Sequence, residues 1–288
     1  MFNRPLNLIV RSYLRHCPVT DGKQRLLALT KNCILPKEPL TVFRTKHDFY
    51  LKVNLHNPEH QRMYFYGEHD ERYEINNLVN IIQPGDSCWD IGANVGFYTC
   101  LFASLVGESG RVVAFEPVSA TRGFLSENVH INGYQNVSII DKALGDVPGE
   151  HRIYLDTPEN AEGTVSLNAR EGMHHEMIEV DTLDNLASVL PVPDFIKIDV
   201  EGYQMKVFTG GKEFFERHSP MIMAELRDKD KTLMNEAQVF LRSRGYLIYE
   251  FRKRTLKLCE DILGSRGRNF FMVKEDSPYF PRVLRQVR

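Results

Sequence analysis

From Asp86 onward the chain alternates between short apolar, β-favouring runs and longer stretches whose apolar positions recur at three- and four-residue spacing. SCWDI, RVVAFE, NVSIIDKAL, DFIKIDV, PMIMAEL and YLIYEF read as strands, and their near-continuous apolar character marks them as covered on both faces. Between them the spacing predicts helices from about Phe97 to Val106, Ala120 to Ile131, Tyr203 to Phe208 and Lys231 to Arg244. Strand and helix in regular alternation predict an α/β fold: a doubly wound, mostly parallel sheet with helices on both sides. The rhythm breaks between Gly149 and Leu183. There HRIYL and MIEVDTL predict two further strands, separated by the polar DTPENAEGTVSLNAREGMHHE, which is long enough to be a functional loop.

The first eighty residues are patterned differently. Leu6, Ile9, Val10, Tyr13 and Leu14 make one stripe of an amphipathic helix, with Arg4, Arg11 and Arg15 expected on the other side, and the helical segment runs to near Thr30. Packing of that stripe on the protein's own body is the expectation, ahead of a membrane or partner contact. Pro36 and Pro39 punctuate a linker. TVFRTKHDFYLKVNL then predicts a hairpin turning at His47-Asp48, QRMYFYG a further short strand, and ERYEINNLVNII a helix stopped by Pro84-Gly85.

With 42% apolar and 26% charged residues, the 288-residue chain has the make-up of a folded domain and not of a disordered or collagen-like one. Its 36 Lys+Arg and 38 Asp+Glu leave a formal charge of -2, so no global basic field draws it onto nucleic acid, and none is expected as a partner. The five cysteines, Cys17, Cys33, Cys88, Cys100 and Cys259, are widely spaced without a C-x-x-C pair. This pattern argues against a zinc or redox motif and fits a reducing cytoplasm. No apolar run reaches the roughly 18 residues of a membrane span, and the charged N-terminus lacks the core of a signal peptide.

The chemistry concentrates at three strand ends. WDIGANVGFYT carries a strand ending in Asp90 into Gly92, Ala93, Asn94 and Gly96 and then a helix, which presents backbone N–H groups at the carboxyl edge of a doubly wound sheet. The spacing D-x-G-x-N-x-G is neither the dinucleotide G-x-G-x-x-G nor a phosphate loop with its Lys-Ser/Thr, and an acid before the glycines suits a cationic ligand better than a pyrophosphate. RVVAFEP ends in Glu116, followed by Pro117. A carboxylate at the end of a second strand can accept hydrogen bonds from both hydroxyls of a ribose. DFIKIDVEGYQ places Asp199 and Glu201 at a third strand end, with Lys197 on the same face as Asp199 by period-two geometry and Gly202 turning the chain after them.

The ordered set DIGANVGFYT, AFEP, the helix containing Asn128, DKALGD, VDTLDNL, DFIKIDVEGY and PMIMAEL resembles the FkbM family of S-adenosylmethionine-dependent methyltransferases over roughly residues 60 to 250. The resemblance implies a seven-strand class I methyltransferase sheet with S-adenosyl-L-methionine across the carboxyl edge of the first two strands. It implies that Asp90, Gly92, Ala93, Asn94 and Gly96 hold the methionine part, Glu116 and Pro117 the ribose side, and Lys142 and Ala143 the border of the adenine. Asp199 would lie near the methionine amine or the transferring methyl. FYGEHDERYE resembles the family's glycine-plus-acid segment before the core, with Asp70 where glutamate is usual, and Gln204 stands where family members commonly carry Glu.

Methyl transfer to a hydroxyl needs alignment and a proton acceptor. Glu201 and Asp199 are the residues expected at the reacting centre, with a histidine of the His174-His175 pair as a further candidate base; no metal is assigned, although Asp199, Glu201 and Glu225 form a set of edge carboxylates. The expected acceptor is a small molecule or glycan with a hydroxyl group. Residues 1–80 read as an extension on the acceptor side and 81–288 as the methyltransferase domain, with the loop from Asp156 to Glu176 also free to shape the acceptor pocket. Tyr64, Phe65, Tyr66, His69 and Tyr73 suit either stacking on a sugar ring or core packing. A Rossmann oxidoreductase and a non-catalytic cofactor-binding protein are the competing readings.

Overall fold

Eight strands form the central sheet of the computed structural model, which describes residues 4–17, 22–155, 165–166, 174–200, 202–227 and 230–287. Their spatial order is Leu256–Leu258, Tyr246–Phe251, Asn269–Lys274, Met221–Glu225, Phe195–Ile198, Ser87–Ile91, Arg111–Phe115 and Val137–Ile140. The five from Met221–Glu225 to Val137–Ile140 are parallel, and Asn269–Lys274 runs antiparallel between Met221–Glu225 and Tyr246–Phe251. Strand order reverses at Ser87–Ile91, whose neighbours are Arg111–Phe115 on one side and Phe195–Ile198 on the other, so a crevice opens at the carboxyl ends of these three. This is the expected doubly wound, mostly parallel seven-strand sheet, with the short edge strand Leu256–Leu258 added to it. Asn269–Lys274 is the seventh strand, which the alternation along the chain did not single out.

Period-two geometry sorts each strand between two apolar layers. Cys88, Val112 and Phe195 point into the layer shared with helix Phe97–Val106, whereas Trp89, Ile91, Phe115, Ile196 and Ile198 point into the opposite one. Fully burying a side chain such as Phe195 contributes about 2–3 kcal/mol, and both layers are dense in such residues. The NVSIIDKAL run divides at Asp141: Val137–Ile140 ends the main sheet, and Lys142–Gly145 joins a second sheet with His174–Thr182, Gly149–Leu155 and Val165–Ser166.

The N-terminal segment is two helices, Arg4–His16 and Lys23–Ile34, followed by the expected hairpin Leu40–Arg44 and Tyr50–Asn54, whose turn places Asp48 at φ 64°. QRMYFYG is helical, not extended. Asn57 caps the N-terminus of helix Pro58–Tyr66 by accepting from the Glu59 N–H at 2.8 Å, Pro58 occupies the first turn, and Gly67 closes the end at φ 74°. Those local signals outweigh the β-favouring composition of the stretch.

The first helix also inverts the expected facing of Arg11 and Arg15, while Arg4 is exposed as expected. Arg15 Nη2 donates to Tyr64 O at 2.7 Å and Nη1 to Arg44 O at 3.0 Å, while the Arg11 guanidinium lies 4.0 Å from the centre of the Tyr64 ring. Guanidinium groups satisfy carbonyls and aromatic faces that an apolar side chain would leave unpaired. Ile9 and Tyr13 are consequently left outside. Tyr64, Phe65 and Tyr66 are buried core residues, and of that aromatic group only Tyr73 is exposed. Among the described residues no helix is long and apolar enough to cross a membrane.

Helix Ser119–Ile131 seals the hairpin's edge. Asn128 accepts from Lys52 N–H at 2.5 Å and donates to Lys52 O at 3.0 Å, and Asn132 makes the same exchange with Tyr50 at 2.7 Å each. Four helical residues rise about 6.0 Å and two extended residues about 6.6 Å, so asparagines four apart match strand positions two apart. Asn128 Nδ2 also donates to Val95 O at 2.8 Å, tying the hairpin to the turn after Asp90.

Candidate functional site

The turn Gly92–Gly96 is built on backbone conformations that glycine favours. Gly92 lies at φ 79° and Gly96 at φ 90°, and Asn94 adopts φ 51°, tolerated because its own Oδ1 accepts from the Val95 N–H at 2.7 Å. Gly92 and Ala93 N–H groups donate to Phe115 O at 3.1 and 3.0 Å, which locks the turn to the second strand. On its other side the Gly92 backbone presses on the third strand end, so that a Cβ there would lie 1.9 Å from Asp199 O.

Glu116 closes one side of this turn. Its Oε2 accepts from Asn94 N–H and its Oε1 from Val118 N–H, both at 2.9 Å. Burial pushes its carboxyl up to about 7, against the pull of those two N–H bonds. Each oxygen keeps acceptor capacity for a further donor. Pro117 O and Glu116 O are held by Arg122 Nη1 at 2.7 and 3.1 Å. Glu116 N–H donates to Ile140 O, which brings the third predicted segment alongside. Ala143 packs beside Val118 there, whereas the Lys142 ammonium turns to Glu179 at 2.6 Å and Asp181 at 3.0 Å.

The other side of the turn is a buried charge cluster. Strand register sets Lys197 directly opposite Asp90, and period two places both on the face covered by helix Phe97–Val106. Asp90 is fully buried: Oδ2 accepts from the Thr99 hydroxyl at 2.6 Å and Oδ1 lies 3.5 Å from Lys197 Nζ. Burial raises its carboxyl above the usual range, and Lys197 works against that. Lys197 Nζ also reaches Asp199 Oδ2 at 3.3 Å and Gly92 O at 3.3 Å and sits 5.2 Å from the Tyr98 ring centre. Burial opposes the ammonium charge, yet Asp199, Asp90 and Glu71 together hold it above its ordinary range. The Asp199 side chain is one-third exposed and faces the crevice end of its strand.

Glu71 enters this cluster without having been anticipated. Its Oε2 accepts from the Tyr98 hydroxyl at 2.6 Å and lies 3.3 Å from His69 Nδ1, and its Oε1 accepts from Asn269 Nδ2 at 2.5 Å. Although burial opposes ionisation, His69 and Tyr98 bring the Glu71 carboxyl down to about 2. His69 in turn contacts Glu59 at 3.1 Å; burial would discharge its ring, but the two glutamates raise it to about 10. Asp70, the acid singled out in the sequence, is instead exposed and paired with Arg62 at 2.5 Å. The inward acid is therefore one residue later, immediately before helix Arg72–Ile81. Two cations, Lys197 and His69, face four carboxylates, Asp90, Asp199, Glu71 and Glu59, and this excess of negative charge suits a cationic ligand.

Glu201 lies outside the described residues, as do 156–164, 167–173 and the side chain of His174. His175 is exposed on the second sheet, 6.5 Å from the Tyr154 ring and away from the crevice cluster. Glu225 is engaged by Arg268, which donates from Nε at 3.0 Å and Nη2 at 2.8 Å. Among the described residues no group of three His, Cys, Asp or Glu side chains is arranged to hold a metal ion.

A family model described as the methyltransferase FkbM domain matches residues 90–248. The chain is 28% identical over 176 residues to the hexuronic acid methyltransferase AglP of Haloferax volcanii, covering 59% of this chain and 70% of the relative. It is 26% identical over 184 residues to the ribosomal RNA large subunit methyltransferase E of Marinobacter nauticus, covering 61% and 82%. Among solved structures it is similar to a methyltransferase FkbM from Methylobacillus flagellatus KT, at 16% identity and a TM-score of 0.46 over 66% of this chain. The alignment spans 43% of that protein.

Proposed function

Because the chain belongs to the FkbM methyltransferase family, we propose that it binds S-adenosylmethionine in the crevice around Gly92–Gly96 and methylates a hydroxyl of a sugar, glycan or related small molecule. One observation carries the reading: Glu116 and Asp199 stand at the ends of the two strands flanking a glycine turn too tight to admit a Cβ. The residues fit the cofactor's chemistry. Glu116, followed by Pro117 on the ribose side, offers acceptors to two ribose hydroxyls, the Gly92–Asn94 backbone is assigned to the methionine portion, and Ala143 to the border of the adenine. Asp199, with the negative cluster behind it, receives the methionine ammonium. A sugar-type acceptor draws support from the printed name of the Haloferax relative, a hexuronic acid methyltransferase. Residues 1–80 are assigned to the acceptor side. Five unpaired cysteines favour a cytoplasmic enzyme.

Bound S-adenosylmethionine supplies an electrophilic methyl group on a sulfonium. The chain's part is alignment and proton removal. Lys197 holds Asp199 in place, so that it orients by hydrogen bonding, and Glu201 two residues further on takes the proton of the acceptor hydroxyl. Glu201→Gln is expected to slow methyl transfer by about 100-fold while leaving cofactor affinity within a few-fold. Equal loss in single-turnover rate and in calorimetric affinity would make Glu201 structural.

The direct test is calorimetric titration with S-adenosylmethionine, S-adenosylhomocysteine and reduced nicotinamide dinucleotide. Both adenosyl compounds are expected to bind and the nicotinamide not; failure of both adenosyl compounds would return the non-catalytic reading. Glu116→Ala should weaken S-adenosylmethionine by about 10–100-fold, the worth of charged hydrogen bonds to the ribose. A carboxyl raised to about 7 adds a pH signature. Hydroxyl donors favour the ionised form, so wild-type affinity should fall as pH drops through 7, by up to about tenfold per unit. Glu116→Gln should flatten that slope. A labelled methyl donor should then mark hydroxylated glycans but not RNA.

A further inference from the structure

The outward face of helix Arg4–His16 has no role in the chemistry above. Its inner face is spent on Asn7, Val10 and Leu14, which are buried, and on Arg11 and Arg15, which turn onto Tyr64 and the carbonyls beneath. The opposite face carries Leu8, Ile9 and Tyr13, exposed at 59%, 66% and 41%, with Pro5 and Ser12 between them. Helix Lys23–Ile34 lies antiparallel beside it: Asn7 Nδ2 donates to Ile34 O at 2.6 Å and Lys23 Nζ to Leu14 O at 2.9 Å. That second helix adds Leu29, exposed at 83%, together with exposed Arg25 and Lys31.

Charge decides what such a surface fits. Before Pro39 the chain carries seven Lys and Arg residues against Asp21 and Glu38, although its total charge is -2. Arg4, Arg25, Lys31 and Lys37 remain exposed after the inward-turned cations are set aside. A second copy meeting this face across a two-fold axis would place basic residues against basic residues. An anionic bilayer offers the complement to both features, a negative surface for the cations and an acyl boundary for the leucine and isoleucine side chains. We propose that the paired helices Arg4–His16 and Lys23–Ile34 form a peripheral docking surface for anionic lipid membranes. The first helix is fixed by Arg15 to the backbone of residues 64–65 and packs against Gly67, just before the segment that carries His69 and Glu71 into the crevice. Docking therefore holds the crevice at a set relation to the bilayer, which suits acceptors carried on lipid.

The test is co-sedimentation of the full chain with vesicles of phosphatidylcholine alone or containing about one-third phosphatidylglycerol. Partitioning onto the anionic vesicles is expected to exceed that onto the neutral ones by roughly tenfold and to weaken several-fold when salt is raised to about 0.5 M. Leu8→Asp with Ile9→Asp should abolish it, and so should Arg25→Glu with Lys31→Glu, each without loss of S-adenosylmethionine affinity. The charge-reversed pair tests the surface independently should the first pair fold poorly. Equal partitioning on both vesicle types, or anionic binding unchanged in the variants, overturns the proposal. So does concentration-dependent self-association in sedimentation velocity that the Leu8→Asp, Ile9→Asp variant removes, because the face is then an interface between copies.

Discussion

Lys197→Met is expected to destabilise the ligand-free protein by about 3–5 kcal/mol at pH 8, the cost of leaving a buried charge without its partner. The substitution keeps most of the side-chain volume, so the loss reports the charge, including its contact with the Tyr98 ring, and not packing. Asp90 is fully buried with Thr99 as its remaining partner, and Asp199 and Glu71 lose the same cation. The deficit should depend on pH with a definite sign. Asp90 already holds its proton more tightly than an ordinary aspartate, and removing Lys197 strengthens that hold. Above the unfolded value near 4 the folded state then binds more protons than the unfolded one, so stability falls as pH rises. Thermal melts should show a drop of roughly 6–15 °C at pH 8 and a smaller one at pH 5. A variant within about 1 kcal/mol of wild type at both pH values would mean that Lys197 does not compensate the cluster.

Gly92→Ala combines two costs at one atom. The residue sits at φ 79°, where an L side chain costs roughly 1–2 kcal/mol, and its Cβ would stand 1.9 Å from a backbone oxygen, that of Asp199, which no rotamer change can relieve. Either the first turn or the third strand end has to move, and each carries part of the proposed cofactor site. The expected result is a fall in stability of about 3 kcal/mol and a loss of S-adenosylmethionine affinity of at least roughly tenfold. Gly133→Ala supplies the control, because Gly133 has a similar φ of 69° with nothing within 4 Å of the added carbon. It should cost only the backbone share and leave affinity intact. Equal effects of the two substitutions would show that the contact with Asp199 is not what requires glycine at 92.

Much of the sheet and of the first turn was readable along the chain because their causes are local. Period two places Lys197 and Asp199 on one face, and the glycines of WDIGANVGFYT mark the turn without reference to anything distant. Asn269–Lys274 was missed because an antiparallel strand inserted late in the chain follows no alternation with helices. QRMYFYG was misread because its aromatic residues favour strands by composition, while Asn57, Pro58 and Gly67 fix a helix at its ends. The facing of Arg11 and Arg15 depends on carbonyls and a ring some thirty to fifty residues away, so helical spacing alone assigns the wrong side to solvent. Glu71 was passed over for Asp70 because neighbours in a loop point in different directions and only the packed partners, Tyr98 and Asn269, select one.

The asparagine pair on helix Ser119–Ile131 and its cap bears on solution behaviour. Strand Tyr50–Asn54 forms one edge of a two-stranded ribbon, and a ribbon edge left open is a template on which another chain can add a strand. Asn128 and Asn132 occupy the N–H and C=O groups of Lys52 and Tyr50 that such an incoming strand would need. The helix that follows Glu116 thus doubles as a guard against strand addition at that edge, so that one and the same segment covers the ribbon and borders the proposed ribose side of the crevice.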